Sequence, residues 1–580
     1  MTEKTYQRHY ANLDFPLNIY AHCLYLQEGN VDYLHYGLFK EGESNPSARE
    51  VQQRATDFLL ARLPPPPCRI LEIGIGLGTT ALELAQRGYT VTGISPDPQQ
   101  IAITRQRVKE SVTLECVTLE AFSAPTESYD VILLQESAQY IQSLALFNKA
   151  YSLLAKHGLI LIADEVGLQR TPKYTSYGLP LLTYTLAQAQ RCGFELSEEV
   201  DLSAQAAPTV DYLLWVIKKH RASLLVDSAV LDDLLSVLRE YQQKYREGRY
   251  GYVLLKFAKT KAPRWKITTV TPQDKEPIRA LFSEVFAPEQ MNDALWEWKY
   301  GEKRGLGIAA WQNSKMVAHY GAIIREIHYF GQPKLAIQIA DVMVSAKERS
   351  RLTRRGAFFL TAATFPEYYV GYGAKTWIGY GFPNQRAMKI AEHLGLYAPV
   401  GKMIELRWAT STAKPHLWTR IRHLQPQHLE QNKIIINTLW KKMAACLQEA
   451  LVGVRDWDYV LHRYLSHPHK QYELLLVSKR FGSQALGVVV IHRQKETCRI
   501  MDFIGDLKHL PEIIKQVRRM ACGMQQVILW ITENFATAFP KPLEQHDLDI
   551  QIPHSIWCQG VPAEDIDGHW WLMSGDTDFL

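Results

Sequence analysis

The chain has 580 residues, 47% of them hydrophobic. That is enough for a globular fold and too much for one core, because single domains usually stop growing near about 250–300 residues. The formal net charge of +5 is small for this size, and with no block of five or more consecutive basic residues a nucleic-acid partner is not expected.

The eight cysteines are scattered, with no CxxC pair. They read as reduced thiols of a cytosolic protein, neither a zinc site nor a secreted disulfide framework. The first residues carry no apolar signal core, and no stretch reaches the ~18 uninterrupted apolar residues of a membrane span, so a soluble, cytoplasmic chain without membrane contact is expected.

In chain order, residues 1 to about 55 are polar and aromatic and lead into a helical pattern, REVQQRATDFLLARL, stopped by four prolines. From Cys68 to about residue 166, short β-rich runs (CRILEIGI, YTVTGIS, TLECVTL, YDVILLQ, LILIADE) alternate with helical patterns. Such alternation predicts a parallel sheet covered by helices on both faces. The helical LDDLLSVLREYQQKYREG then precedes the strand-like YGYVLLKFA, and TKAPR at 260–264 is the expected linker.

Where the first strand turns into a helix, Leu71-Glu72-Ile73-Gly74-Ile75-Gly76-Leu77-Gly78 places three alternate glycines, so backbone can approach a ligand without a Cβ in the way. Alone, this turn also fits a dinucleotide fold or a structural turn. A dinucleotide fold wants an acid after its second strand. Here that strand ends in Gly93-Ile94-Ser95-Pro96-Asp97-Pro98-Gln99-Gln100 without a terminal acid, and the carboxylate is Glu72 on the first strand.

These residues resemble the class I S-adenosylmethionine (SAM) dependent methyltransferases, and GISPDPQQ is similar to the corresponding element of the cyclopropane synthase and tocopherol methyltransferase branch. The resemblance covers 65–165 in detail and 30–260 more loosely. It implies that Glu72, Gly74, Gly76 and Gly78 cradle the amino-acid end of SAM, that Ser95 and Gln100 approach the ribose, and that Leu119 and Glu120 bound the adenine. Gln135 falls on the cofactor side of the fourth strand's end.

Beyond Gln135 runs Glu136-Ser137-Ala138-Gln139-Tyr140, where the family places residues between sulfonium and acceptor. Glu136 reads either as a base for an acceptor hydroxyl, amine or acidic carbon, or as a helix cap or ion-pair partner. Asp164 and Glu165 add two acids at the same sheet edge. His35 and Tyr36 either close the site or pack. No His stands among these acids, so no metal is expected. The largely helical stretch Thr209 to Glu240 is expected to cover this edge, favouring a small enclosed acceptor.

In the second half, strand-like and helical runs lead to Ile337-Gln338-Ile339-Ala340-Asp341-Val342-Met343-Val344, a basic loop from Lys347 to Arg355 and the helix GAFFLTAATF. Asn384-Gln385-Arg386-Ala387 and Leu394-Gly395 follow. This order resembles the GNAT (Gcn5-related N-acetyltransferase) family and implies an acetyl-CoA site around Val344, Arg349, Arg351, Arg354 and Asn384. The loop lacks the family's first glycine. Its general-acid tyrosine position is Ala391.

From about 411 the pattern repeats without a recognisable CoA loop, and Trp570-Trp571 reads as a terminal strand packed on the core. The expected fold class is α/β: a Rossmann-like methyltransferase domain (1–260) followed by two α+β GNAT-like units (265–408 and 411–580). The expected function is bifunctional tailoring of a small metabolite in natural product biosynthesis, by methylation and acyl transfer. Two alternatives stand beside it: a methyltransferase with a non-catalytic GNAT-like binding module, and a polyketide-type loading methyltransferase and decarboxylase.

Overall fold

The computed structural model describes residues 10–43, 46–173, 178–224, 226–349, 353–413, 418–424, 428–482 and 484–579. The chain divides into two compact units, residues 1–170 with 178–266, and residues 267–580 with 171–177.

In the first unit, α1 (Leu17–Glu28) and α2 (Ala48–Leu60) come first. Ser47 starts α2 with a reciprocal cap: its hydroxyl accepts from the Glu50 amide at 3.2 Å, and the Glu50 carboxylate accepts from the Ser47 amide at 3.0 Å. Strands and helices then alternate through β1 (Arg69–Ile73), α3 (Thr79–Gln86), β2 (Thr90–Ser95), α4 (Pro98–Val108), β3 (Thr113–Cys116), β4 (Tyr129–Gln135), α5 (Ser143–Leu153), β5 (Leu154–Gly167), α6 (Leu182–Arg191) and β6 (Phe194–Asp201). Two longer helices, α7 (Pro208–His220) and α8 (Ser228–Arg246), precede β7 (Tyr250–Lys259).

The strand order is β3-β2-β1-β4-β5-β7-β6. All neighbours are parallel except those of β7, which runs antiparallel to β5 and β6. Strands β1 and β4 are apolar on both faces because helices cover both. The order reverses at β1, opening a crevice at the carboxyl ends of β1, β2 and β4, where ligands bind in open α/β sheets. Ile19 and Cys23 of α1 pack with Val210, Leu213, Leu234 and Leu238 of α7 and α8 in a separate small core.

The second unit opens with β8 (Lys266–Thr269), α9 (Lys275–Phe286) and α10 (Asp293–Tyr300), followed by β9 (Gly305–Gln312), β10 (Lys315–Tyr329), β11 (Gln332–Val344), α11 (Ala357–Tyr369), β12 (Ile378–Tyr380), α12 (Gln385–His393) and β13 (Tyr397–Ala409). Next come β14 (Thr419–His423), α13 (Leu429–Cys446), β15 (Leu451–Gly453), β16 (Glu473–Lys479), β17 (Ala485–Gln494), β18 (Thr497–Gly505), α14 (Leu510–Met520), β19 (Gln526–Thr532), β20 (Glu544–Ser555) and β21 (Trp570–Trp571).

Three antiparallel strands, a helix and a parallel strand occur twice, as β9-β10-β11-α11-β12 and as β16-β17-β18-α14-β19. The two sheets exchange strands. β13 pairs with β19 and β20 of the later half, while β15 joins β10 of the earlier one and β21 pairs with β15 beyond it. Residues 267–580 therefore cohere as one unit, with pairings that cross the expected boundary near 410. Trp570 and Trp571 are fully buried in β21.

At the centre of this unit Arg455 is fully buried, bonded to Asp502 at 2.8 Å and to Asp576 at 2.5 Å. The hydroxyls of Tyr459 and Tyr464 donate to Asp502 at 3.0 and 2.9 Å. Among the described residues no helix is long and apolar enough to cross a membrane. Removing one member of a fully buried ion pair strands its partner's charge. Arg455→Ala is expected to destabilise the second unit by about 3–5 kcal/mol, read as a lowered midpoint of its transition in urea.

Candidate functional site

Glu72 ends β1, and the glycine turn that follows carries the chain into α3. The Gly74 amide donates to the Ile94 carbonyl at 2.9 Å. Gly74 has φ +78°, and a Cβ there would stand 2.4 Å from that of Ser137. Gly76, at φ +56°, has nothing within 4 Å of where its Cβ would lie. Backbone is thus bared to a cavity of about 440 Å³ lined by Glu72, Gly74, Gly76, Gly78, Ser95, Gln100, Leu119, Glu120 and Gln135. The structure brings all nine expected residues to one cavity.

Their chemistry fits a cationic nucleoside ligand. Glu72 is buried, its Oε2 has no hydrogen-bond partner, and burial pushes its carboxyl up to about 8. Ser95 donates to Gln100 Oε1 at 3.0 Å, tying the β2 end to α4. Asp97 caps α4, its Oδ1 accepting from the Gln99 and Gln100 amides at 2.7 and 3.3 Å. Asp97 Oδ2 is buried without a partner, and the residue lines the cavity. The second strand therefore does deliver an acid, two residues past its end, which the expectation of an acid-free strand missed. The Ser-Pro-Asp-Pro step was the available signal, since Asp before a helix-starting Pro is a strong cap.

A second cavity of about 540 Å³ adjoins the first and shares Leu17, Leu34, His35, Glu136 and Tyr140 with it. Its remaining walls are mostly apolar and aromatic, including Leu24 and Tyr20 of α1, Tyr212 of α7, and Leu234, Leu238 and Tyr241 of α8. These are the helices that the stretch Thr209 to Glu240 predicts as cover.

Glu136 stands where the cavities meet. Its backbone is held at φ +57°, a left-handed conformation rare for a residue with a side chain, and its amide donates to the Ala163 carbonyl at 2.8 Å. Glu136 Oε1 accepts from the Tyr36 amide at 2.5 Å and the Tyr252 hydroxyl at 2.9 Å. Burial holds its carboxyl well above the ordinary range, and the neighbouring Glu165 charge adds to this. Asp164 and Glu165 are buried beside it. Desolvation raises each to about 7, against hydrogen bonds from Gln139 to Asp164 and from Tyr245 and Tyr36 to Glu165. Three carboxyls sharing one dry site cannot all ionise cheaply. Among the described residues no group of three or more His, Cys, Asp or Glu is arranged to hold a metal ion.

Both ring nitrogens of His35 are engaged, Nδ1 with the Tyr36 carbonyl at 2.8 Å and Nε2 with Thr56 Oγ1 at 3.1 Å. A carbonyl only accepts, so Nδ1 carries the proton and Nε2 accepts from Thr56. Burial lowers the ring to about 4. Tyr36 stacks on Tyr252 with centroids 5.8 Å apart. Through its amide, Tyr36 ties this segment to Glu136.

In the second unit, Arg349 Nε donates to the Val344 carbonyl at 2.8 Å, and the Arg354 guanidinium lies 5.9 Å from the rings of Phe359 and Trp557. Asn384 Oδ1 caps α12 by accepting from the Ala387 amide at 2.9 Å. Arg351 lies outside the described residues. A cavity of about 490 Å³ in this unit is lined by other residues, among them Trp298, Arg325, Gln338 and Arg463.

Residues 70–158 match the family described as methyltransferase domain. The chain is 30% identical over 126 residues to a ubiquinone biosynthesis O-methyltransferase of Methylocella silvestris, covering 21% of this chain and 48% of the relative. It is 29% identical over 144 residues to a 2-methyl-6-phytyl-1,4-hydroquinone methyltransferase of Synechocystis, covering 23% of this chain and 44% of the relative. The chain thus spans less than half the length of both. Among solved structures, a cyclopropane synthase from Mycobacterium tuberculosis aligns with 18% identity and a TM-score of 0.36, over 44% of this chain and 98% of that one. By its family match and its strand order, the first unit carries a Rossmann-like methyltransferase fold.

The raised carboxyls dictate a pH dependence. The folded first unit binds protons on Glu72, Asp164 and Glu165 that an unfolded chain releases near 4. Their contribution to stability is full below the unfolded values and is lost as pH rises through about 7–8. His35, lowered to about 4, has the opposite sign and acts only below its unfolded value near 6.5. Between about pH 6.5 and 8.5 the melting temperature of the first unit is therefore expected to fall. Glu72→Gln should flatten that slope in a calorimetric scan.

Proposed function

We propose that the first unit is an S-adenosylmethionine-dependent methyltransferase acting on a small, mainly apolar acceptor, with Glu136 receiving the acceptor's proton. The observation that carries this reading is the position of Glu136 on the wall shared by the two cavities. The family match over 70–158 and the two unspent acid atoms of the first cavity support it.

Bound SAM supplies an electrophilic methyl group on a sulfonium. Glu72 Oε2 would hold the ammonium of its amino-acid end, Asp97 Oδ2 and Gln100 the ribose hydroxyls, and Leu119 would pack on the base while Gln135 and Glu120 flank the ligand. In the resting protein Glu136 keeps its proton. A positive charge placed in the first cavity lowers the carboxyls around it, so that Glu136 gives up its resting proton to solvent before the acceptor closes the site and is then free to take one from an acceptor hydroxyl. Because Oε1 already accepts twice, that proton goes to Oε2. Helices α1, α7 and α8 exclude water from the acceptor, and His35 and Tyr36 position Glu136 from the cap. The relatives include O-methyltransferases of quinone biosynthesis, which favours a phenolic or enolic hydroxyl as the accepting atom.

For the second unit the repeated strand order supports a pair of GNAT-like folds, and the loop between β11 and α11 is the place where acetyl-CoA would bind. A calorimetric titration of acetyl-CoA into the full chain decides it: saturable binding supports an acyl-transfer partner activity, and no heat alongside good SAM binding leaves a recognition module.

Two substitutions separate the roles in the first unit. Glu136→Gln is expected to lower kcat by ~10²–10⁴-fold with SAM affinity unchanged. Glu72→Gln is expected to weaken SAM binding by roughly 10–100-fold, the worth of a charge-assisted contact. Calorimetry gives the affinities, and product mass with a hydroquinone acceptor gives the rates; failure of the unaltered chain to bind SAM overturns the assignment.

A further inference from the structure

Strands β10, β11 and β12 lie side by side, with Ile323 opposite Gln338 and Gln338 opposite Tyr380. Arg325 is two residues beyond Ile323, so strand alternation puts Arg325, Gln338 and Tyr380 on one face of the sheet. Each carries a buried polar atom without a hydrogen-bond partner: Arg325 Nη2, Gln338 Nε2 and the Tyr380 hydroxyl. Gln338 is 2% exposed and Tyr380 1%. Native interiors leave few such atoms unpaired, and three on neighbouring strands is a concentration that packing does not explain.

Arg325 and Gln338 line the cavity of about 490 Å³ in the second unit. The Arg325 guanidinium rests 4.6 Å from the Tyr459 ring, which fixes its plane. Its Nη2 stands 3.7 Å from Asp576 Oδ1, beyond hydrogen-bond reach, while Asp576 Oδ2 is already taken by Arg455 and the Met573 amide. Asp576 Oδ1 is itself buried without a hydrogen-bond partner. Of the five acids on the wall, Asp578 is bonded to Lys299, Asp456 caps the turn at Tyr459, Glu302 pairs with Arg304, and Glu302, Glu326 and Asp458 are exposed to solvent. Among the buried unpaired atoms of this group, Arg325 Nη2, Gln338 Nε2 and the Tyr380 hydroxyl can donate and Asp576 Oδ1 only accepts, so donors outnumber acceptors, and a planar guanidinium beside an amide matches the two oxygens of a carboxylate.

We propose that this cavity is a binding site for a small carboxylate-bearing molecule, whose oxygens accept from Arg325 Nη2 and Gln338 Nε2, with the Tyr380 hydroxyl backing Gln338. The site draws on neither the first unit nor the loop between β11 and α11. Its fate is separate from the methyltransferase and acetyl-CoA readings.

The test titrates the full chain with succinate, glutarate and benzoate, and with the neutral amide of each, by ligand-observed NMR and calorimetry. At least one acid is expected to bind at millimolar concentration or tighter, and its amide about tenfold or more weakly. Gln338→Met keeps length and removes the donor. Because it deletes an unpaired buried amide, it should leave the melting temperature unchanged or raised, while weakening the acid by about tenfold. Arg325→Lys keeps charge but loses the planar fork, and gives the same loss if Gln338→Met fails to fold. No binding of any acid, equal binding of acids and amides, unchanged affinity in the variant that folds, or a crystal structure in the presence of the acids showing only bridging waters would each overturn the proposal.

Discussion

The first unit is organised around carboxyl groups that its own sheet has removed from water. Glu136, Asp164 and Glu165 sit at the carboxyl ends of β4 and β5, where burial makes their charged forms costly. Everything around them answers that cost: the Tyr36 amide and the hydroxyls of Tyr36, Tyr245 and Tyr252 point inward, Gln139 turns back onto Asp164, and Glu136 adopts a left-handed backbone to reach its partners. Apolar helices then roof the site. Burial and the neighbouring Glu165 charge hold the Glu136 carboxyl well above the ordinary range on the wall that the two cavities share.

Much of this was legible in the sequence because the signals were local. The alternation of short apolar runs with amphipathic segments, the glycines after β1 and the acid before them each report a backbone requirement within a few residues. All nine residues expected around SAM line the same cavity for that reason. Asp97 was overlooked because its place depends on a cap geometry that spends one oxygen on α4 and leaves the other buried and unpaired beside the cavity. Tyr36 was singled out, but Tyr245 and Tyr252 were out of reach of the sequence. Tyr252 bonds to Glu136 from 116 positions away, and no periodicity encodes such a meeting. The edge strand β6 was also hidden, since FELSEEVD carries charge on half of its positions and reads as a polar segment.

The second unit shows the opposite balance. The succession of strands and helices could be followed, but the side chains singled out around the basic loop are occupied locally, Asn384 in a helix cap and Arg349 on a strand-end carbonyl. The unpaired donors that share one sheet face lie elsewhere, on Arg325, Gln338 and Tyr380, which the sequence presents as ordinary strand residues. Polar residues in a β pattern look like the solvent face of a sheet, and only the covering of that face by downstream residues such as Tyr459 and Asp578 makes them interior.

The exchange of strands between the two halves bears on how the chain reaches this state. Sheet β12-β11-β10 is completed by β15 and by β21, so its last hydrogen-bonded partner, Trp570–Trp571, is far downstream of the first. During synthesis β10 emerges with an unpaired flank and must wait for those residues. Long-range pairings of this kind slow folding and leave a bare strand edge open to wrong partners meanwhile. An acquisition of this unit by another protein would have to take both halves together, and a ribosome stalled after α12 would release a sheet with nothing to close it.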